Sequence, residues 1–274
     1  MHDREFSYTQ ADFERVCRLL YQWAGIKLSE AKKDMVYSRL VRQIRLYSVH
    51  SFREYLDQVE CAPVKDRQSF INSLTTNLTS FFRENHHFER LKEWLEHGLQ
   101  HKDRISIWCT AASTGEEPYS IAMTVCEYFN TLTPNFELLA SDLDTNVLNV
   151  GKAGIYSMDR VSKMSEERLK KFFLKGNGEN ENNVKVRKEL QKLIRFEQIN
   201  LLEADWKMLG NKKFDAIFCR NVMIYFDRET QEKLVRHLRT YLHSDGLLFV
   251  GHSESLHYAT DCFKSLGNTV YKPI

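Results

Sequence analysis

No apolar run in the 274-residue chain approaches the ~20 residues that a bilayer-crossing helix needs, which excludes an integral helical membrane protein. The first residues, Met1-His2-Asp3-Arg4-Glu5, lack the basic-then-apolar pattern of a secretory signal, so a soluble cytoplasmic protein is expected. Six cysteines (Cys17, Cys61, Cys109, Cys126, Cys219, Cys262) form no CxxC pair and no regular framework, which fits reduced thiols and excludes a disulfide scaffold. Zinc spacing is missing as well, and His86-His87 read as solvated helix residues rather than metal ligands. Charge of one sign is also lacking, since 39 basic residues against 37 acidic ones leave a formal +2. Nothing global therefore suggests a nucleic-acid binder, and electrostatic recognition must come from a local patch. Internal repeats are absent. What remains is ordinary for a globular protein: 42% hydrophobic and 28% charged residues, in a chain long enough for two domains and a sizeable core.

Residues 1–75 read as a small all-helical domain. Phe13, Val16, Cys17, Leu20 and Trp23 recur at spacings of three and four, and Thr9 to Asp12 resembles a capping start. Over residues 32–47, Val36, Leu40, Ile44 and Tyr47 gather on one side of a second helix. Lys32, Arg39, Arg42 and Arg45 gather on the other, with no acid among them. Ser51 and Glu54 form an S-x-x-E start for a third helix, which Pro63 breaks. Beyond residue 101, strands alternate with helices: strands at 105–109, 136–141, 214–219 and 246–251, a possible edge at 269–272, and helices opened by Pro118, Asp144 and Arg228. That alternation predicts an α/β fold with a mainly parallel, doubly wound sheet. The turn-rich Gly176 to Asn183 run, flanked by Val184/Val186 and Ile194/Phe196, predicts a small antiparallel insertion over residues 172–199.

Ligands of such sheets bind at the carboxyl ends of the strands, and here the first strand-to-helix turn is Thr110-Ala111-Ala112-Ser113-Thr114-Gly115-Glu116. Small residues let the backbone approach a ligand, but the run is not GxGxxG. Asp142 ends the second strand 27 residues after Gly115, where an acid can accept hydrogen bonds from both ribose hydroxyls. Glu116 and Glu117 open the next helix, where a pyrophosphate would need bare N–H groups and positive potential. Two carboxylates there suit a cationic, phosphate-free ligand, which favours S-adenosylmethionine over a dinucleotide.

The same stretches resemble the chemotaxis receptor methyltransferase (CheR) family of protein-glutamate O-methyltransferases. Asn77-Leu78-Thr79-Ser80-Phe81-Phe82-Arg83-Glu84 is similar to its N-x-T-x-F-F-R motif, and Ser113 to Met123 to its STGEEPYS box. Ala140 to Leu148, Ala153 to Tyr156, Phe214 to Phe226 and Gly251-His252-Ser253-Glu254 follow in the family's order. Ala111 and Ala112 stand where many methyltransferases place glycine. The resemblance implies a Rossmann-like S-adenosylmethionine-dependent methyltransferase domain over residues 76–274, carrying a small antiparallel β-subdomain and preceded by the helical domain. It implies that Asn77, Thr79 and Arg83 fold over the cofactor, that Glu116 holds its amino group and Asp142 its ribose. Asn200, Leu201, Arg220 and Asn221 would complete the contacts. Phe81-Phe82 are expected to be core packing.

Methyl transfer to a carboxylate needs alignment more than a base, because glutamate is ionised at pH 7. Arg83 is the expected orienting group, its planar fork matching two oxygens, and Tyr225 the expected second contact. The implied reaction leaves S-adenosyl-L-homocysteine and a methyl ester on a chemoreceptor glutamate in chemotactic adaptation. The implied partner is the receptor's acidic cytoplasmic helical bundle, met by the helical domain of a monomer, with a carboxyl-terminal receptor tether at the β-subdomain. Two other readings stand beside this one: a signalling module that binds S-adenosylmethionine without turnover, and a methyltransferase with another acceptor.

Overall fold

The computed structural model describes residues 4–98 and 104–274. In the amino-terminal part, α1 (Gln10–Ala24) starts at Thr9, whose side chain accepts from Asp12 N while the Asp12 carboxylate accepts from Thr9 N. This reciprocal cap satisfies two N–H groups that the helix itself leaves open. α1 ends at Gly25, at φ 63°, where a side chain would run into Leu202 of the second domain. α2 (Lys33–Leu46), α3 (Phe52–Cys61) and α4 (Val64–Leu74) complete the bundle. Leu20, Val36, Leu40, Ile44, Phe52 and Leu56 are fully buried between them, each contributing about 1.5–3 kcal/mol of burial free energy.

The cationic side of α2 is less open than its periodicity predicts. Arg39 donates to Thr75 O at 2.6 Å, and Arg45, though exposed like Lys32 and Arg42, pairs with Glu5. Helical spacing fixes the face a side chain starts from but not the partner that its long stem reaches.

Past Thr75 a strap of irregular chain leads to α5 (His86–Gly98) and then to β1 (Ile105–Cys109), α6 (Glu116–Tyr128), β2 (Phe136–Asp142) and α7 (Thr145–Ala153). Asp144 caps α7, accepting from Asn146 N and Val147 N. A side structure follows, with β3 (Ile155–Ser157), α8 (Met158–Val161), α9 (Glu166–Phe172), β4 (Phe173–Lys175), β5 (Asn183–Val186) and α10 (Lys188–Gln191). The chain then returns through β6 (Ile194–Gln198), β7 (Phe214–Cys219), α11 (Arg228–Thr240), β8 (Leu242–Val250), β9 (Phe263–Ser265) and β10 (Val270–Pro273).

The seven-stranded sheet runs β6-β2-β1-β7-β8-β10-β9, parallel through β8 and antiparallel at β10 and β9. Buried side chains cover both faces, including Ile107, Phe218 and Phe249 on one and Trp108, Ile217 and Leu248 on the other, as a parallel sheet requires. The strand expected as an edge at 269–272 is β10, and it lies inside the sheet because β9 pairs outside it.

The insertion also differs from its predicted bounds of 172–199. Its three-stranded antiparallel sheet runs β3-β5-β4 and so begins at Ile155, while Ile194 and Phe196 belong to β6 of the main sheet. The alternation of Ile194 and Phe196 is real, but both side chains enter the main core beside β2 rather than closing a hairpin. Among the described residues, no helix is long and apolar enough to cross a membrane.

Candidate active site

The carboxyl ends of β1, β2 and β7 open into a cavity of about 390 Å³, within the usual range for small-molecule sites. The strap roofs it, and Ile26, Lys27 and Lys32 of the helical domain form one rim. Lys27 N donates to Tyr225 O and Asn200 Nδ2 donates to Trp23 O, so the rim is stitched to the second domain.

The turn after β1 is shaped for close approach. Ser113 (φ 48°) and Gly115 (φ 98°) both take left-handed backbone. A Cβ on Gly115 would lie 2.7 Å from Tyr156 Oη and 2.8 Å from Gly151 Cα, so only glycine fits. Ser113 N donates to Asp142 Oδ2 at 2.8 Å, which sets the Asp142 carboxylate against the turn. Burial pushes this carboxyl up to about 6, partly offset by the N–H groups of Asp144 and Ser113.

The two glutamates diverge. Glu117 lines the cavity; its Oε2 accepts from Arg220 Nη1 at 2.5 Å and its Oε1 from Cys109 Sγ at 3.4 Å. Glu116 is fully buried and points elsewhere, pairing with Arg160 and accepting from Thr114 Oγ1 at 2.6 Å. The expectation that Glu116 meets a ligand amino group is therefore corrected. Neighbours on a helix point 100° apart, and it is Glu117 that turns to the cavity.

On the far side, Arg220 is a buried hub. Its Nη2 donates to Arg83 O at 2.7 Å and lies 3.2 Å from Glu84 Oε2. Burial alone would raise Glu84, but hydrogen bonding with His252 and the charge of Arg220 outweigh it and hold the carboxyl at about 2. Arg83 donates from Nη1 to Leu78 O at 2.9 Å and lines the cavity. Glu254 orders the next loop, accepting from Asn221 N, Met223 N and Gly251 N. That loop carries Tyr225 to the cavity wall.

Asn77, Thr79, Arg83, Asp142, Asn200, Leu201, Arg220, Asn221 and Tyr225 thus line one cavity, with Glu116 outside it. Phe81 and Phe82 are half-buried; Phe81 packs edge-on against Tyr156 and Phe173, and Phe82 against Phe88. His87 is fully buried rather than solvated, its Nε2 meeting Asn268 O and Thr269 Oγ1, and burial lowers it to about 3. Potential ligand atoms of Glu84, His86 and His87 lie within 4.8 Å of one another, but Glu84 is committed to Arg220, Asn221 and His252. Sequence reasoning places Glu117 beside Glu116 at a cationic ligand without telling the two apart, and it assigns no contact to Glu84, Arg160 or Glu254. The Gly251-His252-Ser253-Glu254 block is the one available signal for Glu254.

A mainly parallel sheet, a strand-end acid at Asp142, and a buried carboxylate where a phosphate would need positive potential fit an S-adenosylmethionine-dependent methyltransferase, the class to which the family matches assign the chain. Residues 77–272 match the family described as CheR methyltransferase, SAM binding domain, and residues 11–75 match CheR methyltransferase, all-alpha domain. The chain belongs to the CheR methyltransferase family. It is 47% identical over 271 residues to chemotaxis protein methyltransferase 2 of Pseudomonas aeruginosa, covering 99% of this chain and 96% of that one. Chemotaxis protein methyltransferases of Salmonella typhimurium (44% over 269 residues; 98% and 92%) and Escherichia coli (44% over 264; 96% and 91%) are also similar.

Proposed function

We propose that this enzyme methylates glutamate side chains of bacterial chemoreceptors, forming methyl esters in chemotactic adaptation. The observation that carries the reading is the composition of the cavity wall. Arg83 and Tyr225 line it together, and among the described residues no histidine or cysteine does. A wall with an orienting cation and neither of those common bases suits an acceptor that is already ionised, as glutamate is with its ordinary pKa of ~4.3.

The residues present fit the cofactor. Asp142 would hold the ribose hydroxyls, Glu117 the amino group, and Asn77, Thr79, Asn200, Leu201, Arg220 and Asn221 would enclose the rest. When bound, S-adenosylmethionine supplies a methyl group on a sulfonium centre. The chain's own task is alignment. Arg220 holds Glu117 in place, its charge opposing the rise that burial imposes on that carboxyl, and the same guanidinium fixes the strap by holding Arg83 O. Arg83 orients the acceptor carboxylate without over-stabilising it, since that charge is lost in the transition state and tight ground-state pairing would slow the step. Tyr225 fixes one acceptor oxygen and leaves the other for attack. The strap and the helical rim limit water.

Each transfer deletes one negative charge from the receptor, a change that biases a two-state signalling element. Lys32 and Arg42, exposed on the helical domain, suit an acidic partner surface. The exposed edges β3 and β4 of the small sheet suit a receptor tether added as a strand. The test is a receptor cytoplasmic fragment incubated with methyl-labelled cofactor. Volatile labelled methanol after alkali is expected, and label that survives alkali or is absent from the receptor defeats the reading.

A further inference from the structure

We propose that Arg160, on α8 of the small side structure, is a positioning residue that holds the cofactor strap through the carbonyl of Thr79, with Glu116 as its buried anchor. The proposal rests on the reading of the cavity as the cofactor site but not on the identity of the methyl acceptor.

The strap ends in strained backbone, with Phe82 at φ 53° and Glu84 at φ 55°. Bulky residues persist there only when surrounding contacts over-determine the conformation. Its two ends are well held. At one, Thr75 Oγ1 and Asn77 Nδ2 donate to Asp144 Oδ2, and Ser113 Oγ donates to Asn77 O. At the other, Phe82 N donates to Ser120 Oγ and Arg220 donates to Arg83 O.

The middle, residues 78–81, is different. Its other hydrogen bonds are internal to the strap: Arg83 Nη1 to Leu78 O and Arg83 N to Ser80 O. Among the described residues, one hydrogen bond reaches it from elsewhere, from Arg160 Nη2 to Thr79 O at 3.1 Å. That same Nη2 pairs with Glu116 Oε1. One amino group thus spends its two N–H bonds on the strap and on a fully buried carboxylate.

Glu116 explains why the contact is directional. It sits at the first position of α6, and Thr114 Oγ1 donates to its other oxygen, so its place is set by the same turn that bears Gly115 and Ser113. An arginine held by it points where the cofactor turn dictates. The small sheet supports the arrangement from beneath, since Tyr156 Oη donates to Thr114 O and Phe81 packs on Tyr156 and Phe173. The acid that fails to reach the cavity therefore acts on it through the roof.

Three variants test this: Arg160→Met, the double variant Arg160→Met/Glu116→Gln, and Arg160→Lys. The readouts are calorimetric affinity for S-adenosylmethionine without receptor, amide exchange over residues 76–83, and melting without cofactor. Arg160→Met is expected to bind about tenfold more weakly, the loss of one charge-assisted hydrogen bond, with faster exchange confined to the strap. The double variant no longer buries an unpaired carboxylate, so it should melt like the parent yet stay weak and loose in the strap. Arg160→Lys keeps Glu116 paired and the fold intact, but a flexible ammonium replaces the planar fork, so affinity stays about threefold down. Parent affinity in Arg160→Met or Arg160→Lys, or recovery of affinity and exchange in the double variant, would overturn the proposal. None of these readouts depends on the acceptor, so they stand apart from a failed receptor assay.

Discussion

Replacing Glu117 with glutamine is the sharpest perturbation of the cofactor pocket, because it removes a charge and little else. The amide keeps the side chain's shape and an oxygen for Arg220, whose guanidinium also keeps Glu84 at 3.2 Å. The folding cost should therefore stay near the ~1–3 kcal/mol of a weakened buried hydrogen bond, not the larger penalty of an orphaned charge. A cationic amino group bound to Glu117 loses more. Hydrogen bonds to charged groups are worth about 1.5–3 kcal/mol, which corresponds to roughly 10- to 150-fold in affinity. Calorimetric titration with S-adenosylmethionine measures it, with cofactor-free melting as the control for folding. Glu116→Gln, which keeps an acceptor for Arg160, should weaken binding less. Affinity within twofold of the parent for Glu117→Gln, or a reversed order between the two glutamates, would refute the assignment.

Three further outcomes follow from the geometry. Burial pushes the Asp142 carboxyl of the free protein up to about 6, above the usual carboxyl range, and on the proposed reading its ionised form is the one that accepts from ribose hydroxyls. Affinity should thus fall as pH drops through 6, to about tenfold weaker at pH 5, and Asp142→Asn should abolish that slope in the same titration. A Cβ at Gly251 would lie 2.9 Å from Asn221 N and from Glu254 Oε2, so Gly251→Ala must move the loop that carries Arg220 to Tyr225. It should cost about 1–3 kcal/mol in a melt and lower kcat as well. Tyr225→Phe should lower kcat about tenfold or more, as read from a receptor-methylation time course, while cofactor affinity stays at the parent value.

Much of this architecture is legible in the sequence because short-range chemistry dictates it. Thr9 and Asp144 are caps whose side chains act within three residues, and the apolar strands at 105–109 and 214–219 have no polar face to misplace. Asp142 is legible for a similar reason, since it ends a strand next to a tight turn. What escapes depends on contacts distant in sequence. Glu116 and Glu117 are adjacent and chemically identical, and only Arg160 and Arg220, 44 and 103 residues away, distinguish the one that lines the cavity. Ile194 and Phe196 show correct strand alternation, yet period two does not say which sheet a strand joins. His87 reads as a polar helix residue until Asn268 and Thr269 arrive from the far end of the chain to bury it.

Peptide mapping by mass spectrometry of a chemoreceptor cytoplasmic fragment, after incubation with the enzyme and S-adenosylmethionine, tests the central claim most directly. One methyl's added mass on glutamate side chains is expected, removed by mild alkali and missing with Arg83→Ala. An unmodified fragment, or methyl groups found on other residue types, would contradict it.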